Sequence, residues 1–196
     1  KKTLIALLAG VVALTALAGG ALAKGQKSAA DADICVLLPD PKSSVRWETQ
    51  DRPALVTAFK KAKASYVITN ADGDAQKQKT QADQCLANGA KVVILVSLDA
   101  GSSIAIEKAA AAAGAKVIEY DRQVTGGNAA IYISFDGKAV GVLQGKGVVA
   151  GLKANGMYSK KPVVARLNGG QTDNNSFLFK SGYDSVLNPL FKNGTF

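Results

Sequence analysis

Short apolar runs that alternate with longer amphipathic segments constrain the fold of this chain more than any other feature. Each run is five or six residues long, which is typical of a strand buried on both faces of a parallel sheet. The segments between the runs carry helical signals, such as Pro53 at a first turn and glycines at Gly89 and Gly114 where helices should end. The pattern predicts an α/β fold with a doubly wound parallel sheet. The predicted strands are 34–38, 65–69, 92–97, 116–120, 130–134 and 162–167.

The first 23 residues have the composition of a secretory signal. Lys1 and Lys2 precede an apolar stretch at 4–17, and small residues stand before Lys24. A transmembrane span needs about 20 apolar residues, so this stretch is too short to be one. We therefore expect a signal peptide at 1–23, a flexible lead at 24–33, and a mature protein in the periplasm or outside the cell.

Charge and composition exclude several classes of function. Lys and Arg number 24 against 15 Asp and Glu, which gives a formal net charge of +9. The basic residues form no run of five and are not interleaved with aromatic residues, so we expect solvated helix faces and no nucleic-acid partner. Histidine is absent, which excludes histidine-based triads, general bases and metal ligands. We expect no metal, no cofactor and no catalytic residue.

Three polar clusters follow apolar runs, where the carboxyl ends of strands should be. In a doubly wound sheet the ligand crevice lies beyond those ends. One cluster contains Trp47, the only tryptophan, in a polar stretch where an indole is badly placed for a core and well placed for a ligand. One aromatic face beside planar hydrogen-bonding groups suits a small polyhydroxylated molecule such as a sugar. The clusters contain Arg46 and Trp47, then Asp121 and Arg122, then Asp173, Asn174 and Asn175.

Two of these clusters have structural alternatives. Asp121 and Arg122 can pair with each other on the surface, where an ion pair contributes little to stability. The same pair also offers the acceptors and the rigid fork of donors that adjacent sugar hydroxyls require. Asp173 or Asn174 can cap a helix, and neighbouring residues can fill both roles. A glycine match to the dinucleotide fingerprint, at 145–150, lies inside a helical pattern, which favours close helix packing over a nucleotide site.

Whether the two cysteines lie close enough to bond depends on the order of the strands. Cys35 lies in the first predicted strand and Cys85 near the end of the second predicted helix. If the strand order is 2-1-3-4-5, the helix that joins strands two and three crosses strand one and brings Cys85 over Cys35. In an exported protein such a pair is a candidate disulfide. The alternative is two separate buried thiols that behave as small hydrophobic side chains.

The predicted elements are too few for two complete lobes. Five strands suffice for a first lobe, whereas one strand and two helices do not make a second. We interpret the chain as part of a two-lobed protein, with a first lobe at 34–135 that lacks only returning segments and a truncated second lobe at 136–196. The crossing between the lobes falls near 134–137, so Ser134 and Asp136 are candidate hinge residues.

Four segments resemble the bacterial periplasmic D-xylose-binding proteins, which are type I sugar-binding proteins of ABC importers. The segments are 45–47 with 51–52, 120–122, 132–136 and 173–175, in the same order and with similar spacing. The resemblance implies two α/β lobes that close around one sugar. It also implies that Arg46, Asp121, Arg122 and Asn174 or Asn175 bond the hydroxyls, and that Trp47 covers one face of the sugar ring. Asp173, in the same segment as the asparagines, is a further candidate ligand residue.

The resemblance further implies a monomeric receptor that reaches the membrane only through the permease of an ABC importer. D-xylose is its first candidate ligand. Alternatives are a receptor for glucose, ribose or arabinose, or a sugar sensor linked to chemotaxis. An exported α/β enzyme that uses Asp121 on a sugar is disfavoured, because no second positioned carboxylate or metal set accompanies that residue.

Overall fold

A five-stranded parallel sheet with helices on both faces forms the centre of the computed structural model, which describes residues 32–42 and 44–196. The predicted signal segment at 1–23, and the lead up to residue 31, lie outside the described residues. Within the described ranges, no helix combines the length and apolar character needed to cross a bilayer. The strands are β1 (Ile34–Leu38), β2 (Tyr66–Asn70), β3 (Val92–Leu95), β4 (Lys116–Tyr120) and β5 (Ile131–Ile133). The helices are α1 (Arg52–Ala62), α2 (Ala75–Ala87), α3 (Ala100–Ala112), α4 (Gly137–Ala154) and α5 (Asn174–Lys192), and a single π-helical turn, Trp47–Asp51, leads into α1.

The strand order is β2-β1-β3-β4-β5 and every pair is parallel. This order confirms the doubly wound prediction and the condition on which the approach of the two cysteines depended. The structure joins Cys35 of β1 to Cys85 of α2 in a disulfide whose Cα atoms are 6.2 Å apart. The bond therefore links the central strand to the helix that crosses it.

Alternate residues of β1 divide the core between the two faces of the sheet. Cys35 and Leu37 belong to the cluster beneath α2 and α3. Val36 and Leu38 belong to the cluster on the face of α1. Both sets are fully buried, as expected for a strand covered on both sides.

Aspartates begin four of the helices. Each accepts a backbone N–H of the first helical turn, which satisfies a donor that has no partner within the helix. Gly89 and Gly114 follow α2 and α3 with φ of 83° and 74°, so the predicted glycine stops are confirmed as left-handed positions. The capping residues are Asp74, Asp99, Asp136 and Asp173.

Helices α4 and α5 pack against each other through glycines, in what we call the glycine seam (Gly141, Gly145 and Gly182). A Cβ on Gly141 would collide with the carbonyl oxygen of Phe179, and one on Gly182 would collide with the backbone of α4. Gly145 packs against Tyr183 and Val186, whereas Gly147 faces open space. The match to the dinucleotide fingerprint is thus explained in part by helix packing, as predicted.

The sixth predicted strand is wrong. Residues 162–167 have no regular structure, and Val163 and Leu167 are 99% and 98% exposed. A strand needs a neighbour to receive its backbone hydrogen bonds, and no described strand lies beside this segment. Arg166 instead pairs with Asp184 of α5. The apolar composition alone therefore predicted a buried strand where the structure has an exposed, irregular segment.

Candidate functional site

The carboxyl ends of β1 and β4 lead into the segments that carry the predicted ligand residues. After β1, Arg46 directly precedes the π-helical turn and Trp47 is its first residue, and the turn after β4 presents Asp121 and Arg122. The start of α5 contributes Asp173, Asn174 and Asn175, which contact the turn after β4. All seven residues therefore lie in one cluster.

Arg46 stands at the centre of a chain of ion pairs. Its Nε lies 3.1 Å from Asp51 Oδ2, and its Nη2 lies 3.0 Å from Asp121 Oδ1. Burial works against its charge, but the hydrogen bond and charge of Asp121, and then the charge of Asp51, raise the pKa of this guanidinium above its usual value. Arg46 is thus a permanent cation held by two carboxylates.

The indole of Trp47 lies beneath two guanidinium groups. The Cζ atoms of Arg46 and Arg122 are 4.2 Å and 5.7 Å from its ring centroid, within the range of cation–π attraction. The residue is only 2% exposed, and it packs into the cluster of Val36 and Leu38. The expectation that Trp47 stands outside the core with an open ring face is wrong for this structure, because the ring packs among apolar side chains of the sheet.

The backbone of Asp121 gathers hydrogen bonds from three parts of the fold. Its carbonyl oxygen accepts from the hydroxyls of Tyr132 and Ser134, both at 3.1 Å, and from Asn175 Nδ2 at 3.0 Å. Its φ is 65°, an uncommon left-handed value for a residue with a side chain. The candidate hinge residue Ser134 therefore bonds directly to a candidate ligand residue. The other candidate hinge residue, Asp136, caps α4 through Ala139.

Arg122 and its neighbour Gln123 contact the start of α5. Arg122 Nε lies 3.4 Å from Asp173 Oδ2, and Arg122 Nη1 donates to the carbonyl of Ser97 at 3.3 Å. Asn174 Nδ2 donates to Gln123 Oε1 at 3.2 Å. Asp173 also caps α5, which is one of the two roles that the sequence left open, and its other oxygen faces Arg122.

An open cleft of about 420 Å³ lies beside these contacts. That volume is within the usual range for a small-molecule site, roughly 300 to 1,000 Å³. Six of its eight lining residues carry a hydroxyl or an amide, but most of the surface that they expose is apolar, and Asn174 is the one predicted ligand residue among them. Among the residues that the structure describes, no group of three or more Cys, Asp or Glu could hold a metal ion. The lining residues include Ser97, Gln123, Thr125, Thr172, Asn174 and Phe177.

The comparison with known proteins identifies the family. The sequence model of the family described as periplasmic binding protein domain matches residues 34–195 of this chain. The chain belongs to the periplasmic binding protein family. This periplasmic binding protein domain has the type I fold of that family, with one parallel sheet covered on both faces.

Two relatives and one solved structure similar to this periplasmic binding protein domain are named for sugars or carbohydrates. It is 33% identical over 94% of its length to the multiple sugar-binding periplasmic receptor ChvE of Rhizobium radiobacter, and covers 52% of that protein. It is 30% identical over 89% of its length to the D-xylose-binding periplasmic protein of Haemophilus influenzae, and covers 51% of it. A crystal structure of a carbohydrate transporter solute-binding protein from Chloroflexus aurantiacus, in complex with D-glucose, matches with a TM-score of 0.70 and 31% identity, over 85% of this chain and 47% of that one. The chain spans about half the length of the curated relatives it matches.

Two further residues of this periplasmic binding protein domain belong to the site and were not assigned a role from the sequence. Tyr120 donates its hydroxyl to Asp51 Oδ1 at 2.5 Å, while Asp51 Oδ2 faces Arg46. Burial, and then the hydrogen bond to Asp51, raise the pKa of Tyr120 to about 12, so it remains a donor. The only signal in the sequence was their position beside Arg52 and Asp121 in the segments of the resemblance.

A buried pair of carboxyl groups lies away from this cluster. Glu107 of α3 and Glu119 of β4 are 5% and 4% exposed and hydrogen-bond to each other. Glu107 also accepts the backbone N–H of Asn128, and Gly127 packs so closely that a Cβ there would lie 2.7 Å from a Glu107 oxygen. Burial, and then the bond to Glu107, raise the pKa of Glu119 to about 7. The pair holds the turn between β4 and β5 against the sheet.

Proposed function

We propose that this periplasmic binding protein domain is part of an extracytoplasmic receptor that binds one monosaccharide between two lobes and delivers it to the permease of an ABC importer. The observation that carries the proposal is the convergence of two guanidinium groups, two carboxylates and two amides at one edge of the sheet. The names of the relatives support the same class of ligand.

The chemistry of the cluster suits vicinal hydroxyls. Guanidinium groups donate in a planar fork, and carboxylates accept, so a hydroxyl can bridge one of each. Arg46 with Asp121, and Arg122 with Asp173, are already paired at 3.0 Å and 3.4 Å. Because each charge has its partner before the sugar arrives, a neutral sugar does not leave a buried charge uncompensated.

The two lobes of the proposal are 34–135 and 136–196, with a hinge at Ser134 and Asp136. Arg122 lies on the first lobe and Asp173 on the second, so a sugar bound to both stabilises the closed form. The permease would recognise that closed form, and no chemistry is done on the sugar. The receptor would act as a monomer outside the cytoplasm, and would reach the membrane only through its permease.

D-xylose is the first candidate for the sugar. The Haemophilus influenzae relative is named for it, while the Rhizobium radiobacter relative is named for multiple sugars and the Chloroflexus aurantiacus structure holds D-glucose. Glucose, ribose and arabinose are therefore the competitors to compare. We expect the xylose affinity to exceed each of theirs.

Calorimetry on the protein expressed from its complete reading frame tests the proposal. Asp121→Asn keeps the size of the side chain and removes its charge, so it should weaken sugar binding by about ten- to a hundredfold. Asp83→Asn is the matched control, because Asp83 makes a surface ion pair with Lys79 away from the site. If no monosaccharide binds, or if both variants bind as the unsubstituted protein does, the proposed function is wrong.

A further inference from the structure

Asp51 is a buried carboxylate on the inner side of the cluster, 8% exposed. Its Oδ1 accepts the hydroxyl of Tyr120, and its Oδ2 forms an ion pair with Arg46 Nε at 3.1 Å without hydrogen-bond geometry. Both oxygens therefore face protein groups inside the cluster.

The position of Asp51 decides where Arg46 points. An arginine side chain with several rotatable bonds loses about 2 kcal/mol of rotamer freedom when it is fixed in one geometry. The Arg46 side chain is 40% exposed and would sample many rotamers without restraint. Asp51 holds its Nε, Trp47 supports its plane at 4.2 Å, and Nη2 is thereby directed to Asp121 at 3.0 Å.

Tyr120 fixes Asp51 in turn. Its ring meets the indole of Trp47 edge-on, with centroids 6.4 Å apart, so its hydroxyl has little freedom to move away from the carboxylate. Tyr120 comes from the end of β4, directly before Asp121. The strand end that supplies a ligand contact therefore also supplies the donor that orients its partner.

We propose that Asp51 and Tyr120 are positioning residues of the sugar site, which act on the ligand through Arg46. This inference rests on the proposed function and names residues of the same site. Removing either residue should weaken the binding of every sugar that bonds to Arg46, without changing the order of preference among sugars. A ligand contact would instead change that order, since it touches one hydroxyl.

A double-mutant cycle separates positioning from a general structural role. Sugar affinity is measured by calorimetry on the protein from the complete reading frame, with D-xylose and D-glucose. Asp51→Asn is made in the unsubstituted protein and in Arg46→Lys, because lysine keeps the charge but cannot contact two carboxylates in a fork. Tyr120→Phe removes only the hydroxyl and keeps the ring in place. Tyr66→Phe and Asp83→Asn are the matched controls. Tyr66 begins the edge strand β2, where its ring contacts the ring of Phe59.

The positioning role predicts that Asp51→Asn weakens the binding of both sugars by about tenfold, because the ion pair with Arg46 loses its negative charge. Tyr120→Phe should weaken it by about threefold, because Asp51 loses the hydroxyl that orients it. In the Arg46→Lys background, Asp51→Asn should change affinity by less than about twofold. The controls should bind as the unsubstituted protein does. Equal losses in the two backgrounds, or no loss with Asp51→Asn and Tyr120→Phe, overturn the inference while sugar binding itself stands. Absence of sugar binding by the unsubstituted protein overturns the proposed function together with this inference.

Discussion

Reduction of the disulfide between Cys35 and Cys85 should lower the free energy of unfolding by about 4 kcal/mol. The bond closes a loop with a sequence separation of 50, and the chain-entropy relation for a loop of that length gives about 4 kcal/mol at 25 °C. Each kcal/mol shifts the midpoint temperature of thermal unfolding by about 2 to 4 °C for a domain of this size. Reduction should therefore lower that midpoint by about 8 to 16 °C. The effect arises in the unfolded chain, which gains freedom when the loop opens.

Urea titration of oxidised and reduced protein, followed by the emission of Trp47, measures this difference. Trp47 is the only tryptophan and is buried on the sheet that contains β1, so its signal reports on the element that the disulfide constrains. The double variant Cys35→Ala and Cys85→Ala is the control, because it should unfold like the reduced protein apart from a small packing loss and should not respond to reductant. If the free energies of unfolding of the oxidised and reduced proteins differ by less than about 1 kcal/mol, the cross-link does not restrict the unfolded chain as the entropy relation requires.

Three further predictions concern the seam, the acidic pair and the indole. Gly141→Ala should lower the free energy of unfolding by about 1 to 3 kcal/mol, because the new Cβ would meet the carbonyl of Phe179. Gly147→Ala should raise it by up to about 1 kcal/mol, because a Cβ there meets nothing. Equal changes in the two free energies, measured by urea titration, would contradict the packing of the seam. Glu119 has a pKa near 7 in the fold against 4.5 as a free side chain, so the folded protein keeps a proton that the unfolded chain releases. Its stabilisation is therefore full below about pH 4.5 and is lost as the pH rises towards about 7; Glu119→Gln should flatten this slope in titrations at fixed pH, and an unchanged slope would refute the assignment. Iodide should quench Trp47 weakly in the native protein and strongly in urea, since the ring is 2% exposed; strong native quenching would mean that the ring is open to solvent.

The strands and helices around the sheet could be predicted because the signals for them lie in neighbouring residues of the sequence. The apolar runs of β1 to β4 lie within a residue or two of the predicted bounds, and aspartates and glycines marked helix ends through their own backbone chemistry. The strand order was only a condition for the approach of Cys35 to Cys85, and the structure meets that condition. Local composition does not show whether a strand has a neighbour, so the segment 162–167 was assigned to a sheet that it does not join.

The seven candidate site residues lie together as expected, but most of their contacts with one another could not be predicted. The strand-end clusters come together as the topology requires, and the contacts between Arg46 and Asp121 follow from it. The burial of Trp47 could not be predicted, because the polar residues around it in the sequence do not show that its ring packs on Val36 and Leu38. Glu119 offered a signal that was overlooked, since a carboxylate at an alternate position of an apolar strand must point into the core.

The glycine seam makes α4 and α5 a single stiff arm. Because Gly141 and Gly182 bring the two backbones into contact, neither helix can slide without the other. One end of this arm begins at the proposed hinge, and α5 carries Asp173 to the turn after β4. An 18-residue helix is about 27 Å long, so a rotation of about 10° at the hinge would move its far end by about 5 Å. A change in the backbone of two or three residues would thus be amplified into a displacement as large as a sugar ring.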